Sequence, residues 1–415
     1  MRWLHTSDWH LGRGFHGHSL REEQEQMLEA LCAAVAEHAV DVVLIAGDIY
    51  DRALPPEWAV AALEGCLQRL VDAGVQVVIT PGNHDSAARL GFGRGLMRRS
   101  GVHIRSSLED AWIPVEFPEP SGGTTLVYGM PYLEPQLFAP ALGLDRAHHT
   151  GVTAEVIRRI WADVEARQAK YGTDPSADTA TETSTDPGTA AGPLTVILMA
   201  HLFASHGAAS DSERNIGVDV AAGDAPEHHE DTIGGLTVVP LELFAGFEYV
   251  ALGHLHGRQR LSSTVRYSGS PLRYSFSETH QAKGAWLWDS RTRDPAQALD
   301  WSIGRPLAQL EGTLEELLAE ETVATHRDSY VQVKLTDSVR PERAFQRVQE
   351  SYPHLAAFAH TGRQDSAHRT YSAKVEQART DTEVIEGFLE HVRGGRGPSP
   401  EERELIDQGL QAVRP

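Results

Sequence analysis

Apolar runs that stop abruptly at glycine or a polar residue punctuate the chain as far as about residue 300. Val42-Val43-Leu44-Ile45-Ala46 halts at Gly47-Asp48. Val75 to Thr80 halts at Pro81-Gly82-Asn83-His84, and Leu194 to Ala200 halts at His201. Phe247 to Leu252 halts at Gly253-His254-Leu255-His256. Continuous runs of this length predict strands buried on both faces. Trp3 to Thr6 is a shorter opening strand that leads to Asp8 and His10, which lie two apart and in extended backbone would point to one side. Between the first runs the apolar period is helical. Met27, Leu28, Leu31, Ala34 and Val35 share one face of Arg21–His38, and Pro55-Pro56 opens a helix ending at Asp72. Strand, helix, strand, helix, strand implies an α/β sheet with helices packed on it. Trp112–Phe117 and Thr125–Met130 read as further strands, Val152–Tyr171 as a helix, and Trp286–Asp289 and Leu299–Ser302 as closing strands.

The pattern changes near Arg305-Pro306. Tyr330 to Thr336 alternates strictly, as expected of a strand with one wet face. Thr313-Leu314-Glu315-Glu316 carries a capping-box signal, Pro341–Ser351 a helix and Leu355–His360 a strand. Thr380 and Ser399 open two tail helices. The expected organisation is a domain over 1–304, a small α+β domain over 305–379, and tail helices over 380–415. Residues 172–193 lack large apolar side chains and read as a flexible insertion, not a boundary.

Composition adjusts this picture in two places. Two cysteines in 415 residues leave no disulfide framework. No apolar stretch spans a bilayer, and the N-terminus turns polar too early for a signal peptide, so a cytoplasmic setting is expected. The net charge of −21 argues against a general nucleic-acid binder. Two acid-free stretches, 86–105 and 257–273, run against that balance. They are either solvated faces or a positive rim for phosphate. Arg89, Arg94, Arg258 and Arg273 are the candidate DNA contacts.

Five strand ends carry the candidate chemistry. Asp8, His10, Asp48, Asn83, His201, His254 and His256 together exceed what one zinc takes and suit two ions completed by water. Without thiolates the candidates are Mn²⁺, Fe²⁺ and Zn²⁺, and the mixed carboxylate, amide and imidazole set favours manganese. Two ions about 3.5–4 Å apart clamp an in-line displacement at phosphorus and supply hydroxide at neutral pH. His84, beside Asn83, is free to protonate the leaving oxygen. Asp85 is read as a loop organiser.

Asp8-x-His10, Gly47-Asp48, Gly82-Asn83-His84-Asp85, His201 and Gly253-His254-x-His256 together resemble the calcineurin-like metallophosphoesterase signature. Thr6–Gly12, Ala46–Asp51, Ala251–His256 and Tyr267–Pro271 resemble its SbcD nuclease branch. That likeness implies a two-sheet sandwich flanked by helices, with a small C-terminal capping domain and tail helices. It implies a Mn²⁺-dependent DNA nuclease of repair and recombination, nucleoid-associated. Its activities would be an ATP-dependent 3′→5′ double-strand exonuclease and a single-strand and hairpin endonuclease. The implied partner is an SbcC-like SMC-family ATPase, joined as a heterotetramer around a homodimer of the nuclease, with helices near Pro56–Asp72 and Leu90–Ser100 as the dimer face. Asp8, His10, Asp48 and His256 would hold one ion; Asp48, Asn83, His201 and His254 the other. His84 matches the catalytic histidine, while Asp51 stands where archaeal relatives have a second one. The same site also serves phosphatases and small-molecule phosphodiesterases, so that reading stays beside the nuclease. A scaffold with a decayed site is disfavoured by the full ligand set.

Overall fold

The computed structural model describes residues 1–120, 122–172, 193–205, 232–233, 236–292, 294–362, 380–393 and 396–413. The chain divides into two compact units, Met1–Pro306 and Leu307–Pro415. In the first unit the principal strands are β1 (Arg2–Thr6), β2 (Val42–Ala46), β3 (Gln76–Thr80), β4 (Val102–Ile104), β5 (Val115–Pro118) and β6 (Thr124–Gly129). They continue with β7 (Leu194–His201), β8 (Tyr249–Gly253), β9 (Gln259–Arg260), β10 (Val265–Tyr267), β11 (Gly284–Asp289) and β12 (Gln297–Asp300). They form two six-stranded sheets, ordered β12-β11-β1-β2-β3-β4 and β9-β10-β8-β7-β6-β5. Strands β1 to β4 run parallel, as do β6, β7, β8 and β10. The two sheets pack as a sandwich.

Period-two geometry sorts the apolar runs. Val42, Leu44 and Ala46 of β2 face the second sheet and meet Ile197, Met199, Tyr249 and Ala251. The alternate residues of β7 and β8, Leu198, Ala200, Val250 and Leu252, face outward. There the helix His149–Gly172 covers them with Val152, Val156, Ile160 and Val164, one residue per turn. Both faces of each run are therefore dry, which is why the sequence shows no alternation.

Three local expectations shift. Trp112 belongs to a 3₁₀ turn, Glu109–Trp112, and the strand starts only at Val115. Asp110 accepts the Ser106 and Ser107 amides at 3.1 and 2.9 Å, which holds that turn. The Leu90–Ser100 region is not one helix but the turns Ala87–Leu90 and Arg94–Met97. Gly93, at φ +73°, breaks the helical path between them. Pro56 caps its helix from outside, and the helix runs Glu57–Asp72.

In the second unit β13 (Leu307–Gly312), β14 (Tyr330–Leu335) and β15 (Leu355–His360) form a parallel sheet, in that order. Val331, Val333 and Leu335 point to a core with Leu314, Leu317, Val348 and Tyr352, while Lys334 is exposed. The Thr313 box forms as expected: the Thr313 hydroxyl accepts the Glu316 amide and the Glu316 carboxylate accepts the Thr313 amide. Thr380 and Ser399 cap the helices Asp381–Val392 and Pro400–Val413. No helix among the described residues is long and apolar enough to cross a membrane. The inserted segment read at 172–193 lies, apart from its ends, outside the described residues.

Candidate metal centre

Five loops at one end of the sandwich bring the sequence-predicted ligands together. Asp8 and His10 follow β1, Asp48 follows β2, and Asn83 and His84 follow β3. His201 closes β7, and His254 and His256 follow β8. Asp8, His10, Asp48, His201 and His256 are almost fully buried. Asp8 and His10 do not share a side through extended backbone, as their two-residue spacing suggested. Both are left-handed, at φ +55° and +44°, and so are Asp48 (+51°) and His254 (+103°). Such conformations cost about 1–3 kcal/mol each in non-glycine residues and gather at functional sites. The kinks are held from below: the Asp8 and His10 amides donate to the Gly47 and Asp48 carbonyls, both at 3.0 Å. Two glycines let the loops close. A Cβ on Gly47 would stand 2.2 Å from His201 Nδ1, and one on Gly82 would stand 2.1 Å from Asp48 Oδ1.

Asp48 is the hinge of the cluster. Its Oδ1 accepts the His84 amide at 2.9 Å. Its Oδ2 lies 3.3 Å from His201 Nε2 and 3.7 Å from His10 Nε2. On one side, His10 Nε2 meets His256 Nε2 at 3.1 Å. On the other, Asn83 Oδ1 lies 3.0 Å from His201 Nε2 and 3.2 Å from His254 Nδ1. His201 Nδ1–H donates to the Ala46 carbonyl at 2.9 Å, so Nε2 is the atom turned inward. The Asp8 carboxylate accepts the His254 amide at 3.0 Å and the Ser7 hydroxyl.

Burial sets the charge pattern. It drives His254 down to about 3, with His201 adding to the effect, and holds His10 well below the ordinary imidazole range. At His201 burial also opposes the cation, but Asp48 and Asp8 outweigh it and push the ring up to about 9. Burial lifts Asp8 to about 6, against the pull of His201 and His256. Burial works against the Asp48 anion too, yet His201 and His10 hold that carboxyl far below its usual range. Two imidazoles are thus kept neutral, the form that ligates metal, around a permanent anion.

This arrangement fits divalent ions. Ring nitrogens, carboxylate oxygens and an amide oxygen converge where few hydrogens exist to join them. Among the described residues, buried His10 Nδ1 and His84 Nε2 have no hydrogen-bond partner. Ligand atoms of Asp8, His10 and His256 lie within 4.8 Å of one another, as do those of Asp8, Asp48 and His201 and those of His10, Asp48 and His84. Hard and borderline donors without thiolate are the set such cations take.

The calcineurin-like phosphoesterase family profile matches residues 1–258. The chain belongs to that family. A second profile, described as the type 5 capsule protein repressor C-terminal domain, matches residues 304–393. A Staphylococcus saprophyticus protein, named as the SbcD subunit of the nuclease SbcCD, is 29% identical over 404 residues, 95% of this chain and 94% of that one. One of the same name from Staphylococcus epidermidis is 26% identical, over 94% and 93% of the two chains. A dimetal phosphatase from Danio rerio superposes with a TM-score of 0.35 and 13% identity, covering 69% of this chain and 91% of that one.

Several residues of this calcineurin-like phosphoesterase site gave no signal in the sequence. Glu278, fully buried, accepts His256 Nδ1–H at 3.3 Å and pairs with buried Lys283 at 2.7 Å. Lys283 also donates to the His256 carbonyl at 2.8 Å and to Ser270 Oγ at 2.9 Å. Glu278 thereby fixes the His256 tautomer with Nε2 toward His10. Asp85 behaves as the organiser it was read to be. Its carboxylate accepts the Ile49, Tyr50 and Gly82 amides at 3.1, 2.9 and 2.9 Å, tying the β2 and β3 loops together. His84 Nδ1–H donates to the Asp51 carbonyl at 2.7 Å, and its ring stands edge-on to His10 at 4.8 Å. The Asp51 side chain lies 3.8 Å from both His10 Nδ1 and Arg13 Nε.

The arginine stretches look different in three dimensions. Arg94 pairs with Asp110 at 2.6 Å and Arg258 with Asp300, so acids from outside the two stretches offset both charges. Arg273 donates to the Gln281 carbonyl at 2.9 Å. Arg89 is exposed and donates to the Ala53 carbonyl at 2.7 Å.

Proposed function

We propose that the chain is the nuclease subunit of a DNA end-processing complex, hydrolysing phosphodiesters at a two-metal centre. The observation that carries this reading is the Asp48 carboxylate, poised between the His10–His256 and Asn83–His201–His254 groups. Asp8, His10, Asp48 and His256 would hold one ion and Asp48, Asn83, His201 and His254 the other, with Mn²⁺ the first candidate. Bound ions would supply charge neutralisation at phosphorus and a water of lowered pKa. DNA is favoured over small esters because relatives named as nuclease subunits align along nearly the whole chain, second unit included.

Within that reading, residues 305–379 would be the capping domain, which touches DNA, and residues 380–415 would dock on an SbcC-like SMC-family ATPase. Exposed Val60, Phe92 and Leu96 would form the homodimer face of a heterotetramer. Exposed Val392 and Leu405 on the tail helices support the docking role. Deleting 380–415 should leave manganese-dependent cutting by the free nuclease and abolish co-purification with the ATPase. Undiminished co-purification would move the docking surface elsewhere.

Glu278→Gln should weaken divalent metal binding about ten- to hundredfold. Calorimetry on folded protein checks this. An affinity within about twofold of wild type would show that His256 is oriented without the carboxylate.

The test of the reading as a whole is cleavage of a hairpin-ended duplex with Mn²⁺, Mg²⁺ or EDTA, beside a nitrophenyl phosphodiester. Manganese-dependent DNA cutting, increased by the ATPase, is expected. Cleavage of the small diester with no DNA cutting, even with the partner present, would assign the site to small phosphodiesters.

A further inference from the structure

A cavity of about 270 Å³ lies at the other end of the sandwich from the metal loops, lined by both sheets. Thr195, near the start of β7, is on its wall, while His201 ends the same strand. Six residues of strand put the two about 20 Å apart. Arg260 and Arg266 also line it, and they are direct register partners on antiparallel β9 and β10. Like charges placed opposite each other disfavour a strand pair unless something lies between them.

Arg266 is the unusual member. It is 2% exposed, and Tyr249 and Trp286 stand 5.5 and 5.7 Å from its guanidinium carbon. Rings can cover the flat faces of a guanidinium but cannot accept its in-plane hydrogens at the edge. Among the described residues its Nε has no acceptor and no acid pairs with it. An arginine does not escape burial by losing its proton, so an anionic partner is the remaining way to stabilise it. Two acids share the wall. Glu248 is committed to the Val196 amide at 2.8 Å, and Asp294 is on an exposed loop.

We propose that this cavity binds a small phosphate-type oxyanion, free or carried by a nucleotide, between Arg260 and Arg266. The guanidinium fork matches such oxygens, and Thr195 and Thr264 add hydroxyls to the wall. The volume suits a small molecule, not a duplex.

The test uses the full chain stripped of metal in EDTA, so that the metal loops do not capture the anion. Inorganic phosphate, deoxyadenosine monophosphate and deoxyadenosine are titrated by calorimetry. Phosphate should bind, the monophosphate at least as well, and the nucleoside not at all. Tighter binding of the monophosphate would make a nucleotide the source; equal binding would make it the free anion. Arg266→Lys and Arg260→Gln should each weaken binding about tenfold or more. Arg260 is exposed, so its variant tests the site without threatening the fold. Absence of phosphate binding to the wild type, or wild-type affinity in Arg260→Gln, would overturn the proposal.

Discussion

Asp48→Asn should lose hydrolysis by about a thousandfold or more and should no longer take up two divalent ions. Asn is the informative replacement. It keeps the shape of the side chain and tolerates the left-handed backbone at φ +51°, which alanine would strain. What it removes is the anion that faces both His201 and His10. It also turns an amide N–H₂ toward one of the sites where an acceptor stood. In the proposed centre both halves share this one carboxylate, so the loss is expected in metal stoichiometry as well as in rate. Equilibrium dialysis with manganese reads the first, and DNA cleavage the second. Full stoichiometry with lost activity would make Asp48 a group that acts on substrate and not the bridge. Full activity would remove it from the centre.

The candidate ligand loops were legible because each directly follows a strand buried on both faces. A strand of that kind gives a continuous apolar run, and the first polar residue after it has nowhere to go but the sheet edge. Gly47 and Gly82 strengthened the signal because only glycine leaves room there for His201 and Asp48. The path of the loops was not legible. Asp8 and His10 were expected to align through alternation, and instead the backbone turns left-handed at both. Nothing in a two-residue spacing reports φ. Glu278 and Lys283 escaped notice for a different reason. Glu278 ends a short 3₁₀ turn, Phe276–Glu278, Lys283 follows in a stretch with no period, and their role exists only through contact with His256. The arginine stretches show the same blindness to distance. A stretch free of acids in sequence meets Asp110 and Asp300 in space.

His84→Gln should abolish DNA cleavage, by about a hundred- to ten-thousandfold, and leave metal uptake intact. The geometry separates this residue from the proposed ligands around it. Its Nδ1–H is held by the Asp51 carbonyl at 2.7 Å, and its buried Nε2 meets no partner among the described residues. A ring anchored at one nitrogen and free at the other is arranged to hold a proton at Nε2 for an incoming group. Glutamine fills similar space but cannot release a proton. If His84 protonates the leaving oxygen, the loss depends on that oxygen. A deoxyribose alkoxide needs the proton, whereas nitrophenolate departs without it. The variant should therefore keep far more of its nitrophenyl diesterase rate than of its DNA cleavage. An equal loss on both substrates, with metal still bound, would instead make His84 a stabiliser of charge on the phosphate. Loss of metal together with activity would make it a ligand, a role its proximity to His10 and Asp48 permits. The two substrates measured with one variant distinguish proton donation from the other two roles, and metal titration separates those from each other.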